Sequence, residues 1–404
     1  MEPVRVILIT ENRKRVVWNS LVHKFMRHRK RFSAPLIQMA GIMAAGLCLG
    51  ALGFAQSGEK KLNSGREIFE TACIACHGPN GKGMSKAVLG FDPPSTYPDF
   101  SRCDQTTSEW DRDYKAVIRD GGPARGFSQI MPAFREVLSS EQMDEVIRYL
   151  RSFCQDKSWP RAILNMPRAL ATEKAYPENE AVITSAINTR STPGVDDEFA
   201  YEHRLGVRNQ LEVAVPLSFV NQSTGTWSGG IGDIALGLKR AFIANVHTGS
   251  IFALQGEVVL PTGNRSRGLG TGVTTFGMFA SYDQLLPRNG FVEFQGGADL
   301  PTHLDKVPQS MFWRTAVGKS MSGGLGLGRL WSPMVEFLAD RDLQTGARTN
   351  WDVLPEFQVT LSQRQHVRAD FGVRVPANHT SGRPVQLMFY VLWDWFDGAL
   401  RDGW

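Results

Sequence analysis

The chain has 404 residues, 42% of them hydrophobic and 21% charged, with a formal net charge of +5. This composition excludes intrinsic disorder, and a mean hydropathy of −0.22 excludes a transporter built from many apolar helices. The length allows two or three domains.

The charge is unevenly placed. Residues 1–55 hold nine Lys/Arg and two acids, or +7, which leaves 36 bases and 38 acids, or −2, in the rest. A nucleic-acid partner is therefore not expected. Arg27-His28-Arg29-Lys30-Arg31 forms a basic cluster, Ala34 to Phe54 is apolar and uncharged, and Gly53-Phe54-Ala55 supplies small residues for cleavage. Residues 1–55 are expected to be an export signal, with Met26 an alternative start. A retained membrane helix is the competing reading, since the stretch is long enough to span. The bulky Leu47 before Cys48 argues against a lipoprotein signal.

Next comes a helix opened by Asn63 to Phe69, with Ser64 and Glu67 at capping-box spacing. Cys73-Ile74-Ala75-Cys76-His77 follows, the C-x-x-C-H pattern of c-type haem attachment. Two thiols at this spacing can bond the two vinyl groups on one porphyrin edge, and the next residue, His77, then lies beneath the iron. A thioredoxin-like redox pair and half of a zinc site are the rivals. A redox pair does not require the histidine, and the chain has no second C-x-x-C. Asp111 to Arg119 reads as a helix stopped by Gly121-Gly122. Ser139-Ser140-Glu141 opens a last helix with Met143, Val146, Ile147 and Leu150 at helical spacing.

Over about residues 60–155 this pattern resembles the monohaem class I cytochrome c family, so an all-α domain is expected at 56–156. In that family a Met-Pro dipeptide carries the sixth iron ligand, and here it is Met131-Pro132. The resemblance implies one covalent haem c held by Cys73 and Cys76, with His77 and Met131 as axial ligands. Met84 and Met143 compete for the sixth position, Met84 in a glycine-rich loop and Met143 on the last helix's apolar stripe. The resemblance also implies packing of Gly65 and Phe69 against the last helix near Tyr149. Thioether ligation favours electron transfer over oxygen chemistry. Cys103 and Cys154 remain; in an oxidising compartment they either pair or persist as two buried thiols.

Pro160, Pro167 and Pro177 mark a linker at 157–179. Beyond it the period changes to two. Leu211, Val213, Val215, Leu217 and Phe219 alternate with Gln210, Glu212 and Ser218, and similar runs recur to Trp395. About twelve runs of about ten residues, joined by alternating short and long connections, fit an antiparallel transmembrane β-barrel over 180–404. The glycine-rich connection at 320–329 is the exception to the alternation. Glu212, Lys239, Glu257, Glu293, Glu336, Glu356, Arg368, Asp370 and Arg374 are expected to line a polar lumen. A soluble sandwich or lipocalin-like domain shares the alternation. Gly232 to Lys239 and Leu260-Pro261-Thr262-Gly263 resemble motifs of the outer-membrane barrel family of the phenol meta-degradation pathway. His203, His247, His303, His366 and His379 are dispersed and are expected to be solvated or lumen-facing, with no metal site. The Ala399–Trp404 tail is an extension of unassigned role.

Together these features lead to an outer-membrane-anchored cytochrome, not an enzyme, that exchanges single electrons with periplasmic redox proteins. The alternative is a pore for small-molecule cargo with the cytochrome as gate or redox sensor.

Overall fold

The computed structural model describes residues 62–395, apart from 95, 190–192, 222–224 and 323–328. The expected export signal, with Met26 and Cys48, and the Ala399–Trp404 tail lie outside the described residues, as does most of the 320–329 connection.

Residues 62–156 form short helices around one apolar core. The first helix runs through Gly65–Ile68, a π-helical turn at Phe69–Cys73, and Ile74–His77. Ser64 and Glu67 cap it reciprocally, as their spacing predicts. Asp111–Asp120 ends at Gly121, whose φ of 81° suits a residue without Cβ. Ser140–Arg151 starts from a second capping box, between Ser139 and Gln142. Its stripe of Met143, Val146, Ile147 and Leu150 is buried against Ile68 and Phe69. The Phe69 and Tyr149 rings lie 5.4 Å apart. Cys103 and Cys154 form a disulfide, with Cα atoms 5.1 Å apart.

Gly65 is where the first and last helices cross. A Cβ there would lie 2.0 Å from the Glu145 carbonyl oxygen, so neither helix could keep its place. Gly65→Val is expected to destabilise the helical domain by about 3 kcal/mol or more. Thermal melting followed at a helix signal checks this, and an unshifted melt would remove the close crossing from the account.

From Glu180 onward the chain forms one antiparallel sheet that closes on itself. Glu180–Asn188 pairs with the last strand, Gln386–Asp394, from Glu180↔Asp394 to Asn188↔Gln386. Ser310–Lys319 pairs with Leu330–Asp342 across the 320–329 connection. Twelve strands make the ring, and Trp227–Ile231 and Met321–Ser322 are short additions to it. The period-two pattern sorts as expected. Met278 (63% exposed) and Phe371 (53%) point outward, whereas Gln210 and Glu293 (both 0%) point inward. The inward face is not polar throughout. Leu338, Leu354, Met388, Tyr390 and Leu392 form an apolar patch in the lumen.

Within the 157–179 linker, residues 164–178 enter the lumen and are mostly buried there. Leu170 packs on the apolar patch. The Glu356 carboxylate accepts from Leu170 N at 3.0 Å, Glu336 from Ala171 N at 2.9 Å, Asp283 from Ala175 N at 2.8 Å, and the Gln210 side-chain oxygen from Glu178 N at 2.7 Å. Inside the barrel these carboxylates and amides replace the water that a loop's backbone otherwise needs. His366 stands on the inward face, on the same side of the sheet as Arg368, which shares Asp394 with it. It is buried and hydrogen-bonded through Nδ1 to Asp394.

The helical domain sits on the barrel end that carries the short turns. Arg204 Nη1 donates to Ser108 Oγ at 3.1 Å and Arg208 Nε to Ser158 O at 3.0 Å. Arg204 also lies over the Trp159 ring at 4.7 Å. On the turn between Asn350–Thr360 and Val367–Pro376, Gln363 Nε2 donates to Pro123 O at 2.9 Å and Arg364 Nη2 to Gly126 O at 2.9 Å.

Candidate haem site

A cavity of about 570 Å³ opens inside the helical domain. Cys73, Cys76 and His77 line it from the first helix, and Met131 lines it from the segment after Gly121-Gly122. Of the three candidate methionines only Met131 does so. Met143 is 3% exposed within the apolar core, and Met84 lies beside Gly78 in the turn after His77.

The cavity is built locally. The C-x-x-C-H helix ends at Gly78, where the chain turns away at φ 70°. Gly122 N donates to Met131 O at 3.1 Å, and Phe134 N to Ile118 O at 2.9 Å, so the Met131 segment is held against the Asp111–Asp120 helix. Phe69, Phe100, Ile118 and Leu150 give an apolar stretch of wall, and Asp99, Glu109, Asp113, Arg125 and Arg364 give a charged one.

His77 is enclosed by two rings. Tyr97 stacks on it at 5.4 Å with planes 12° apart, and Phe100 lies at 5.2 Å. The Tyr97 hydroxyl donates to the Cys76 carbonyl. Gly83 permits this, since a Cβ there would lie 2.4 Å from the Tyr97 ring. Burial lowers the His77 pKa to about 4, which keeps the imidazole neutral and able to bind metal. Its Nδ1 is buried without a hydrogen-bond partner. Burial, then the neighbouring Cys76, raises the Cys73 thiol to about 11. Two thiols, a neutral imidazole with an orphaned nitrogen, and a thioether around one apolar cavity fit a haem group.

Sequence reasoning missed Tyr97, Phe100, Arg125 and Arg364, all of which line this cavity. No local motif marks them, since Tyr97 and Phe100 arrive from a loop, Arg125 from a single 3-10 turn and Arg364 from the barrel.

The lumen has its own charged cluster. Carboxylate oxygens of Glu173, Glu202 and Glu212 lie within 4.8 Å of one another. Lys239 Nζ is 3.6 Å from Glu173, and Arg168 pairs with Glu202, so cations inside the barrel offset the cluster.

The barrel is similar to several solved outer-membrane proteins. An outer-membrane channel from Pseudomonas putida F1 shares 12% identity, covering 57% of this chain and 100% of that one, with a TM-score of 0.42. The KdgM porin shares 6%, covering 54% and 99%, with a TM-score of 0.36. The NanC porin shares 6%, covering 53% and 98%, with a TM-score of 0.37. Comparison with the curated proteins finds no match. Residues 62–153 match the family model described as cytochrome c, and a domain of that family implies covalently bound haem c.

Proposed function

We propose that the protein is an outer-membrane-anchored c-type cytochrome that passes single electrons on the periplasmic side. One observation carries this reading: Cys73, Cys76, His77 and Met131 meet at one cavity. Bound haem supplies a one-electron couple. In the proposal Cys73 and Cys76 would hold it by thioether bonds, and His77 and Met131 would supply its iron ligands. Phe69, Phe100, Ile118 and Leu150 exclude water. Tyr97 fixes the ring plane of His77 through its stack and its bond to Cys76. In the proposal the cytochrome domain takes the described residues 62–156, and the barrel begins at Glu180.

The membrane part of the proposal rests on the outward face. Phe276, Met278, Phe294, Trp313, Phe371 and Phe389 are all exposed on the barrel wall. Apolar exposure continued around a closed ring fits lipid and not water. Kinship to the phenol-pathway barrel family belongs to the same proposal. The even strand number returns the chain to the short-turn end, where the haem domain sits; short turns mark the periplasmic side of such barrels. The lumen filled by residues 160–178 supports an anchor over an open pore.

Haem staining of fractionated membranes tests the proposal. A haem-positive, heat-modifiable band in the outer membrane is expected, and full-length protein without haem would sink it. The ligand set is tested by Met131→Ala, which removes the thioether. Its midpoint potential is expected to fall, and added carbon monoxide or imidazole to bind where wild type excludes it. Met84→Leu and Met143→Leu are expected to keep the wild-type spectrum. A wild-type spectrum in Met131→Ala would reassign the sixth ligand.

A further inference from the structure

The haem-domain cavity is not closed by the haem domain alone, because Arg364 of the barrel is part of its lining. This arginine sits on the turn between Asn350–Thr360 and Val367–Pro376. Its Nη2 donates to Gly126 O at 2.9 Å, and its guanidinium carbon lies 4.8 Å from the centre of the Phe127 ring. Both residues belong to the segment that leads into Met131.

Arg125 stands beside it. It is 3% exposed. Its Nη1 donates to Asp113 Oδ1 at 3.1 Å and its Nη2 to the Arg364 carbonyl at 3.3 Å. A third arginine, Arg112, lies 3.9 Å from the same Asp113 carboxylate. Burial lowers the Arg112 pKa, and of its charged neighbours Asp113 raises it while Arg125 and Arg368 lower it further. The junction between domain and barrel thus gathers three arginines, Arg125 buried and Arg112 and Arg364 half-buried, with Arg112 and Arg125 sharing the one carboxylate of Asp113.

Haem carries two carboxylate groups at one edge. Placing them in an apolar cavity is costly unless cationic donors meet them. A guanidinium suits the task, since its planar fork matches a carboxylate. The described lining offers three arginines. Arg102 pairs with Asp104 at 2.6 Å, whereas Arg125 and Arg364 meet each other where the barrel turn reaches the cavity.

We infer that Arg364, supplied by the barrel, acts with Arg125 as a positioning residue for the acidic edge of the cofactor, so that the haem site is complete only when barrel and haem domain are docked. This rests on the haem reading of the cavity. It makes the barrel part of the redox centre: a cation near the iron disfavours the oxidised form, which carries one more positive charge.

The test is a redox titration of the full-length protein in detergent, followed by absorption spectroscopy. Arg364→Gln removes the charge, and Arg364→Met removes it while keeping an apolar stem over Phe127. Both are expected to shift the reduction equilibrium toward the oxidised form by about tenfold, or about 59 mV for one electron, with the axial-ligand spectrum unchanged. Arg364→Lys keeps the charge and is expected to stay near wild type. Gln363→Ala removes a neighbouring docking bond without a charge and is expected to leave the potential unmoved. Unmoved potentials in the two neutral variants, or an equal shift in Gln363→Ala, would overturn the role of Arg364. Wild-type protein without haem would overturn both this inference and the proposed function, whereas bound haem with an unmoved potential overturns only the inference.

Discussion

Cys73→Ala/Cys76→Ala protein is expected to reach the membrane fraction without haem and with residues 62–156 unfolded, while the barrel keeps its heat-modifiable migration. The reason is the size of the space the cofactor leaves. The cavity of about 570 Å³ is bounded by Phe69, Ile118 and Leu150, which also belong to or border the domain's own core. At about 20–24 cal/mol per Å³, such a void left dry would cost on the order of 10 kcal/mol, comparable to the whole stability of a small domain. Water entry relieves part of this cost but wets the same apolar walls. The Cys103–Cys154 disulfide restricts the unfolded chain and replaces none of the lost contacts. The barrel has its own closed hydrogen-bond ladder, from Glu180↔Asp394 around the ring, and does not depend on the cavity. Limited proteolysis with peroxidase-activity staining checks the prediction. Haem-free protein whose 62–156 segment resists cleavage like wild type would show that the domain folds without its cofactor.

The parts legible in the sequence are those whose cause is local. Ser64 with Glu67 lies within one helical turn, and the Met143, Val146, Ile147 and Leu150 stripe within two. Cys73 to His77 spans five consecutive residues, and the barrel's alternation is written into each strand separately. What stayed hidden depends on distant partners. Arg364 meets Gly126 across 238 positions, and Leu170 meets Glu356 across 186. The burial of the 157–179 segment is hidden for a physical reason. Its prolines suit an extended spacer, and the acceptors that bury its N–H groups stand on strands that begin far downstream. The lumen carboxylates were visible as an inward set. What they bind was not, because an alternating pattern reports a face and not its occupant. Tyr97 carries no mark in the sequence because its role depends on Gly83, whose missing side chain lets the ring close on His77.

Replacing residues 165–175 by a few glycines is expected to turn a silent barrel into a conducting one. Leu164 and Tyr176 belong to one apolar cluster, so a short bridge can join them and leave the rest of the connection in place. In the native protein the segment is firmly held. Besides the three bonds from its backbone N–H groups to Glu356, Glu336 and Asp283, Tyr390 and Gln358 donate to Arg168 O at 2.6 and 3.0 Å, and Arg314 donates to Ala171 O at 2.6 Å. Each such bond, once broken in a buried site, leaves a group whose desolvation costs about 1–3 kcal/mol, so spontaneous withdrawal is rare. Wild-type protein in planar bilayers is therefore expected to show no steady current. Twelve strands at this spacing and tilt enclose a backbone cylinder about 24 Å across, and side chains narrow the free width to about half of that. Emptying it would expose Asp283, Glu293, Glu336, Glu356 and Asp370, and would remove Arg168 and Lys174 with the single acid Glu173, a net loss of one positive charge. The current should accordingly favour cations. The variant should keep its covalent haem, because none of the replaced residues lines the haem cavity. Equal conductance in wild type and variant would mean that the segment does not close the lumen, and the barrel would then have to be read as a pore in its native state.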